Sequence, residues 1–207
     1  MGMILTLAPL RDATIERLLA DPPLVWQLLA PDDPEPYERS RREAIARSRP
    51  GFFSRLFGGS RAPEAPPEPE PLALADAEGE IVDVDKAWHG IHYLLTGSAW
   101  DGEPPLGFLV NGGREVGDED VGYGTARVFT AAETRTIADA LDRLSDEALK
   151  VRFAPADMMA KKIYPEIWDR DPEDDDTLGY LIAYAGTLRE TVAAAVKNGH
   201  GLIVLLS

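Results

Sequence analysis

The sequence predicts an α+β fold: a small sheet including the N- and C-terminal strands, packed by several helices, with a Pro/Glu-rich mobile insertion. Three observations predict it. Both ends of the chain carry short apolar runs, MILTLA at residues 3–8 and GLIVLL at residues 201–206. Runs of that length, bounded by turn signals, read as buried strands. Several segments between them open on capping residues and repeat apolar side chains at helical spacing. Composition then breaks sharply between residues 35 and 80.

The elements follow in order. Residues 12–20, DATIERLLA, put Ile15, Leu18 and Leu19 on one helical face, with Asp12 or Thr14 available as the cap. Pro22-Pro23 ends that helix. Trp26, Leu28 and Leu29 form a short apolar patch before Pro31. Tyr37–Arg61 carries seven arginines against two acids, Glu38 and Glu43, and predicts a helix ending near Pro50. An aromatic patch of Phe52, Phe53, Leu56 and Phe57 follows. The arginines are expected to pair with the protein's own acids, and the phenylalanines to dock on the domain. Residues 62–80 are rich in Pro and Glu, hold no base, and lack the apolar content of a core. They predict an extended linker. The organisation is therefore a single domain over 1–207 with an inserted basic segment and linker at 35–80.

The second half is denser in pattern. In DVDKAWHGIHYLLTG, residues 83–97, Val84, Trp88, Ile91 and Leu95 fall on one face of an amphipathic helix. Asp83 or Asp85 suits its start, and Gly97 suits a left-handed end. Asn111-Gly112-Gly113 is a turn signal, residues 118–124 a glycine-rich loop, and Ala126–Phe129 a short strand. Thr130-Ala131-Ala132-Glu133 is a capping box opening a helix with Ile137, Ala140, Leu141 and Leu144 inward. Ser145 caps another helix, and a short one holds Met158 and Met159. The last helix runs from about Thr177 to Asn198, and GLIVLL belongs in the middle of the sheet.

Composition bounds the function. The 207 residues are 44% hydrophobic and 28% charged, ordinary for a globular chain. No uncharged apolar run reaches the ~18 residues that a spanning helix needs. The apolar N-terminus lacks a basic flank and reads as a strand, not a signal peptide. Cysteine is absent, which excludes disulfides, thiolate zinc sites and cysteine nucleophiles, and fits a cytoplasmic protein. A net charge of −15 disfavours nucleic acid as a partner. It serves solubility, and it also suits steering toward a basic protein partner.

Two motifs are candidate sites. His89 and His92, at i and i+3, can converge near one point of a helix, with Asp85 one turn before His89. That suits a general base or a metal ligand pair. A zinc site needs a third protein ligand and no HExxH is present, so no metal and no cofactor are expected. His92 also lies on the apolar stripe, and the favoured reading is a neutral core histidine hydrogen-bonded to backbone or a tyrosine. Gly122-Tyr123-Gly124-Thr125-Ala126-Arg127 offers a tight turn and an arginine able to bind a carboxylate or phosphate, or to pair with a neighbouring acid. It matches no phosphate-binding loop. DRDPEDDD at 169–176 lacks the order and glycine of a calcium loop. Trp88, Trp100 and Trp168 flank these motifs. With His89, His92, Tyr123 and Arg127 they define a candidate groove for a peptide or small molecule.

The N-terminal GM-I, the DVDKAWHGIHYLLTG block, GYGTARVFT, IYPEIW and the final NGHGLIVLLS together resemble the bacterial YfbM-like proteins, a family of unknown function. The resemblance covers residues 81–207 well and 1–29 loosely. It implies a compact α+β domain in the bacterial cytoplasm and brings no catalytic residue. The leading expectation is a non-catalytic protein-binding module, immunity- or antitoxin-like in its most concrete form. The alternative is a small-molecule-binding protein or enzyme using a cleft near His89, His92, Tyr123 and Arg127. A binding protein is expected to tolerate His89→Ala and His92→Ala, and an enzyme is not.

Overall fold

Strand GLIVLL becomes β5 (Gly201–Leu206), the middle strand of a five-stranded antiparallel sheet. The structure, a computed structural model, describes residues 2–48, 72 and 80–207. The Phe52–Phe57 patch and nearly all of the Pro/Glu-rich segment lie outside the described residues. The other strands are β1 (Leu5–Leu10), β2 (Val82–Asp83), β3 (Arg114–Asp120) and β4 (Thr125–Phe129), in the order β2-β1-β5-β4-β3. The N-terminal strand ends at Leu10 rather than Ala8. It includes Pro9, which lies beyond the last β1–β2 pair, where no neighbour requires its missing N–H.

Helices cover both faces of the sheet. Leu5, Leu7, Leu202, Val204 and Phe129 point into one core, and Ala8, Leu10, Ile203, Leu205 and Val128 into the other. This alternation explains an unbroken apolar run: each side chain of β5 has a core to enter. The second core is closed by α1 (Asp12–Ala20), a 3-10 turn (Pro22–Leu24), α2 (Val25–Leu29) and α3 (Glu35–Ser48). Glu119 on β3 ties this layer down. It accepts hydrogen bonds from Trp26 (3.2 Å) and Ser40 (2.5 Å) and pairs with Arg47 at 3.5 Å. Leu72 is buried in this core too, its amide donating to Gln27 at 2.7 Å. The Pro/Glu-rich segment thus contributes one core side chain that its composition did not suggest.

The first core packs under α4 (Ala87–Thr96), α5 (Ala131–Leu141), α6 (Asp146–Arg152), α7 (Pro155–Ala160) and α8 (Thr177–Lys197). These make eight α-helices among the described residues. The Thr130–Glu133 capping box and the Ser145 cap both form. Asp12 caps a different helix from the one expected. Its carboxylate accepts the amide of Ala131, at the start of α5, at 2.9 Å, and α1 has no side-chain cap.

Helix α4 departs from expectation in two ways. It starts at Ala87 without a side-chain cap, because Asp83 belongs to β2 and Asp85 accepts the Tyr180 hydroxyl at 2.9 Å. It is also not amphipathic: Ala87 through Leu95 are all buried. Gly90 shows why a full ring of neighbours fits. A Cβ there would lie 2.6 Å from Leu181 and 2.8 Å from the Trp168 ring, so α8 and Trp168 press directly on the helix backbone. Gly97, at φ 77°, ends the helix in the left-handed region as expected.

Candidate functional site

The buried helix α4 delivers two imidazoles to the loop that follows it. His89 and His92 are both fully buried. Nε2 of His89 bonds the Ala99 carbonyl at 2.8 Å, and Nδ1 accepts the Tyr164 amide at 3.0 Å. A carbonyl can only accept and an amide can only donate, so His89 is the neutral Nε2–H tautomer. Nε2 of His92 bonds the Asp101 carbonyl at 3.1 Å. Between them, Asn111 Nδ2 donates to the carbonyls of Trp100 at 2.8 Å and Gly102 at 3.0 Å. Four consecutive carbonyls, Ala99 to Gly102, are therefore held by side chains. The i, i+3 spacing of the histidines matches two carbonyls on alternate residues.

The side chain of Trp100 projects outward from this clamp. It is 53% exposed, with its ring 4.4 Å from that of His89 and 5.9 Å from that of Trp88. Across a small cavity stands Tyr123, 50% exposed. The Tyr123 turn is anchored as firmly. The Asp120 carboxylate accepts the amides of Gly122 and Gly124, and the Tyr123 amide donates to Leu206 at 3.0 Å. Gly122 is required here, since a Cβ would meet the Ser207 backbone at 2.8 Å.

Trp88, Thr125, Arg127 and Leu206 complete the cavity, whose volume is about 140 Å³. The Arg127 guanidinium donates to the carbonyls of Phe108 (3.0 Å), Leu109 (2.7 Å) and Gly112 (3.1 Å). It thereby ties the far end of the same loop to β4. Of the seven candidate groove residues, Trp88, Trp100, Tyr123 and Arg127 line this cavity. His89 stacks against Trp88 just behind it, ring centroids 4.7 Å apart. His92 lies deeper, under Asp101. Trp168 is elsewhere in the core, bonded to the Ile163 carbonyl at 2.6 Å. Leu206 was not foreseen at the site, Thr125 entered only as part of the Gly122–Arg127 motif, and Asn111 only as part of a turn. The turn signal at Asn111 marked a bend but not a side chain reaching back across the loop.

Burial pushes both imidazoles toward the neutral form. His89 is lowered, against the pull of the Ala99 carbonyl. His92 falls to about 4; burial leads, opposed by the Asp101 carbonyl and reinforced by nearby His89 and Arg127, while the Asp101 carboxylate opposes. The unfolded chain therefore takes up protons first as pH falls. The stability held in these neutral rings is complete above about pH 6.5 and is lost as pH drops toward 4. A thermal series from pH 7.5 to 4.5 is expected to show Tm falling more steeply for the native chain than for His92→Gln. Equal slopes would contradict this assignment. Among the described residues no group of three or more His, Cys, Asp or Glu is placed to hold a metal ion. None of the described helices is long and apolar enough to cross a membrane.

Comparison with known proteins adds the fold family. The crystal structure of YfbM from Escherichia coli, a protein of unknown function, matches with a TM-score of 0.61. The match covers 99% of each chain at 18% sequence identity, so the likeness is one of fold. Comparison with curated proteins finds no match. The profile of one family covers residues 1–205, nearly the whole length: this chain belongs to the family DUF1877, a domain of unknown function.

Proposed function

We propose that this chain is a non-catalytic protein-recognition domain whose contact surface is centred on Trp100 and Tyr123. One observation carries the reading. Every carbonyl from Ala99 to Gly102 is held by buried or half-buried side chains, yet the Trp100 ring between them is left half exposed. A loop so fixed presents its indole with little entropy left to lose on binding. Trp, Tyr and Arg are also the residue types that dominate binding energy at interfaces.

Charge supports a basic partner. The chain carries −15 overall. Glu115 and Asp120 lie opposite Arg127 and Thr125 in the β3–β4 register, and so on the same face as the cavity. Neutralisation of a basic protein, as by an immunity protein or antitoxin in the cytoplasm, is the most concrete form of this role. The single domain spans 1–207, with residues 35–80 as an insertion whose described parts, α3 and Leu72, belong to the second core, on the other face of the sheet.

A small-molecule site or enzyme at the same cleft draws less support. Both imidazoles are withheld from solvent, and His89 spends both ring nitrogens on backbone groups, so neither histidine is placed to act on a ligand in the cleft. Affinity capture from native lysate tests the proposal, comparing the native chain with the double variant Trp100→Ser/Tyr123→Ser. Both residues are exposed, so Tm is expected to change by only about 2 °C. Proteins enriched on the native chain are expected to fall at least about tenfold on the variant, the equivalent of one strong contact residue. Undiminished capture by the variant would sink the proposal, as would capture of nothing at any salt.

A further inference from the structure

Arg127 holds binding capacity that the fold does not use. A guanidinium carries five N–H donors, and three are spent on the carbonyls of Phe108, Leu109 and Gly112. The Nε–H and one Nη2–H remain. They sit on neighbouring nitrogens, the pair that takes a carboxylate through two parallel bonds. Arg127 makes no ion pair among the described residues. Glu115 faces it across the register and favours its charge without contact. Burial pushes the guanidinium down to about 10, opposed by the Glu115 charge.

The surroundings of that pair narrow the ligand. Thr125 lines the cavity and its hydroxyl makes no hydrogen bond among the described residues. Trp88, Leu109, Val110 and Leu206 add apolar side chains, and backbone and polar groups make up the rest of the lining. At about 140 Å³ the space falls below the ~300–1,000 Å³ of drug-sized ligand sites. It suits a single residue. A carboxylate and an apolar group joined through one carbon would satisfy both Arg127 and the walls. An aspartate or glutamate side chain offers only the first. A chain end with an apolar last residue offers both.

We infer that the Trp100–Tyr123 cavity receives the free C-terminal carboxylate of a partner chain ending in an apolar residue. Arg127 takes the carboxylate through Nε–H and Nη2–H, and the apolar walls take the side chain. This inference rests on the protein-recognition reading and specifies its anchor. The acidic surface governs the approach of a basic partner, and the arginine governs the last contact.

The test is an NMR titration of the full chain with acetyl-Gly-Leu, its C-terminal amide, and acetyl-Gly-Glu amide, following the Trp100 indole N–H. The free acid is expected to shift that signal and to bind at least about tenfold more tightly than either amide, the loss expected for a charge-assisted bidentate pair. Arg127→Lys keeps the charge but loses the fork, and is expected to weaken the free acid about fivefold or more. Because Arg127 also ties the loop, Glu115→Gln supplies an independent arm. Removing that exposed like charge is expected to tighten the free acid about twofold at low salt, an effect that vanishes at high salt. Equal binding of acid and amide would overturn the inference, as would an unmoved Trp100 signal or an unchanged affinity in Glu115→Gln. If the peptides fail while the Trp100→Ser/Tyr123→Ser variant still loses captured proteins, the anchor is wrong and the recognition surface stands. If both fail, both are wrong.

Discussion

His89→Ala is expected to destabilise the protein by about 3–5 kcal/mol, lowering Tm by roughly 10 °C for a chain of this length. The ring is fully buried and bonded at both nitrogens, to the Ala99 carbonyl and the Tyr164 amide. Truncation strands both groups, at about 1–3 kcal/mol each, and leaves a cavity against Trp88 and Trp100. Urea denaturation of the native and variant chains measures the loss. A change below about 1 kcal/mol would mean that the ring is not the clamp described here. The result also revises the simplest genetic test. Tolerance of His89→Ala was expected of a binding protein and intolerance of an enzyme. With both rings in the core, His89→Ala and His92→Ala harm the fold whichever function is true. Activity or binding in such variants has meaning only beside a stability measurement.

Trp168→Ala is expected to cost a similar amount, about 3–5 kcal/mol, with a different consequence for binding. Trp168 is fully buried, bonds the Ile163 carbonyl and packs its ring edge on the backbone of α4 at Gly90. It takes no part in the cavity. Removing it weakens the packing between α4 and α8 while leaving Trp100, Tyr123 and Arg127 in place. At a temperature where the variant remains folded, partner capture is expected to match that of the native chain. Loss of capture in fully folded Trp168→Ala would extend the recognition surface to a part of the molecule this account leaves out.

Much of the fold was legible because its signals are local. The capping box at Thr130, the glycine end of α4 and the apolar run of β5 each depend on neighbours in sequence. Strand β3 was not legible. REVGDED is polar at an edge, and only Val116 is fully buried, so no alternation of apolar residues marks it. The character of α4 was misjudged for a related reason. Glycine and histidine lowered its apolar count on the sides that Trp168, α8 and the following loop cover. Asp12 has the right residue type to cap α1, yet Arg11 holds the cap position and the Asp12 carboxylate serves α5, a choice made by tertiary geometry.

The site was half legible for the same cause. Residue type pointed to His89, His92, Tyr123 and Arg127, but the partners that define their roles are backbone carbonyls. Carbonyls are present at every position and leave no trace in the sequence. Arg127 could equally have paired with one of many acids; it instead meets three carbonyls of the loop that ends at Gly112. Asn111 passed as a turn residue because its contacts lie nine and eleven residues back. Trp168 was grouped with the groove on type alone, and its place opposite Gly90 follows from how α4 and α8 cross.

The central claim is that buried side chains hold the Ala99–Gly102 loop rigid so that Trp100 is presented ready to bind. Nitrogen-15 relaxation of the free protein tests it most directly, read at the amides of Ala99–Gly102 and at the Trp100 indole. Order parameters near about 0.85, equal to those of α4, are predicted, with a fall in the loop on Asn111→Ala. Values below about 0.6 in the native chain would show a mobile loop and contradict the account.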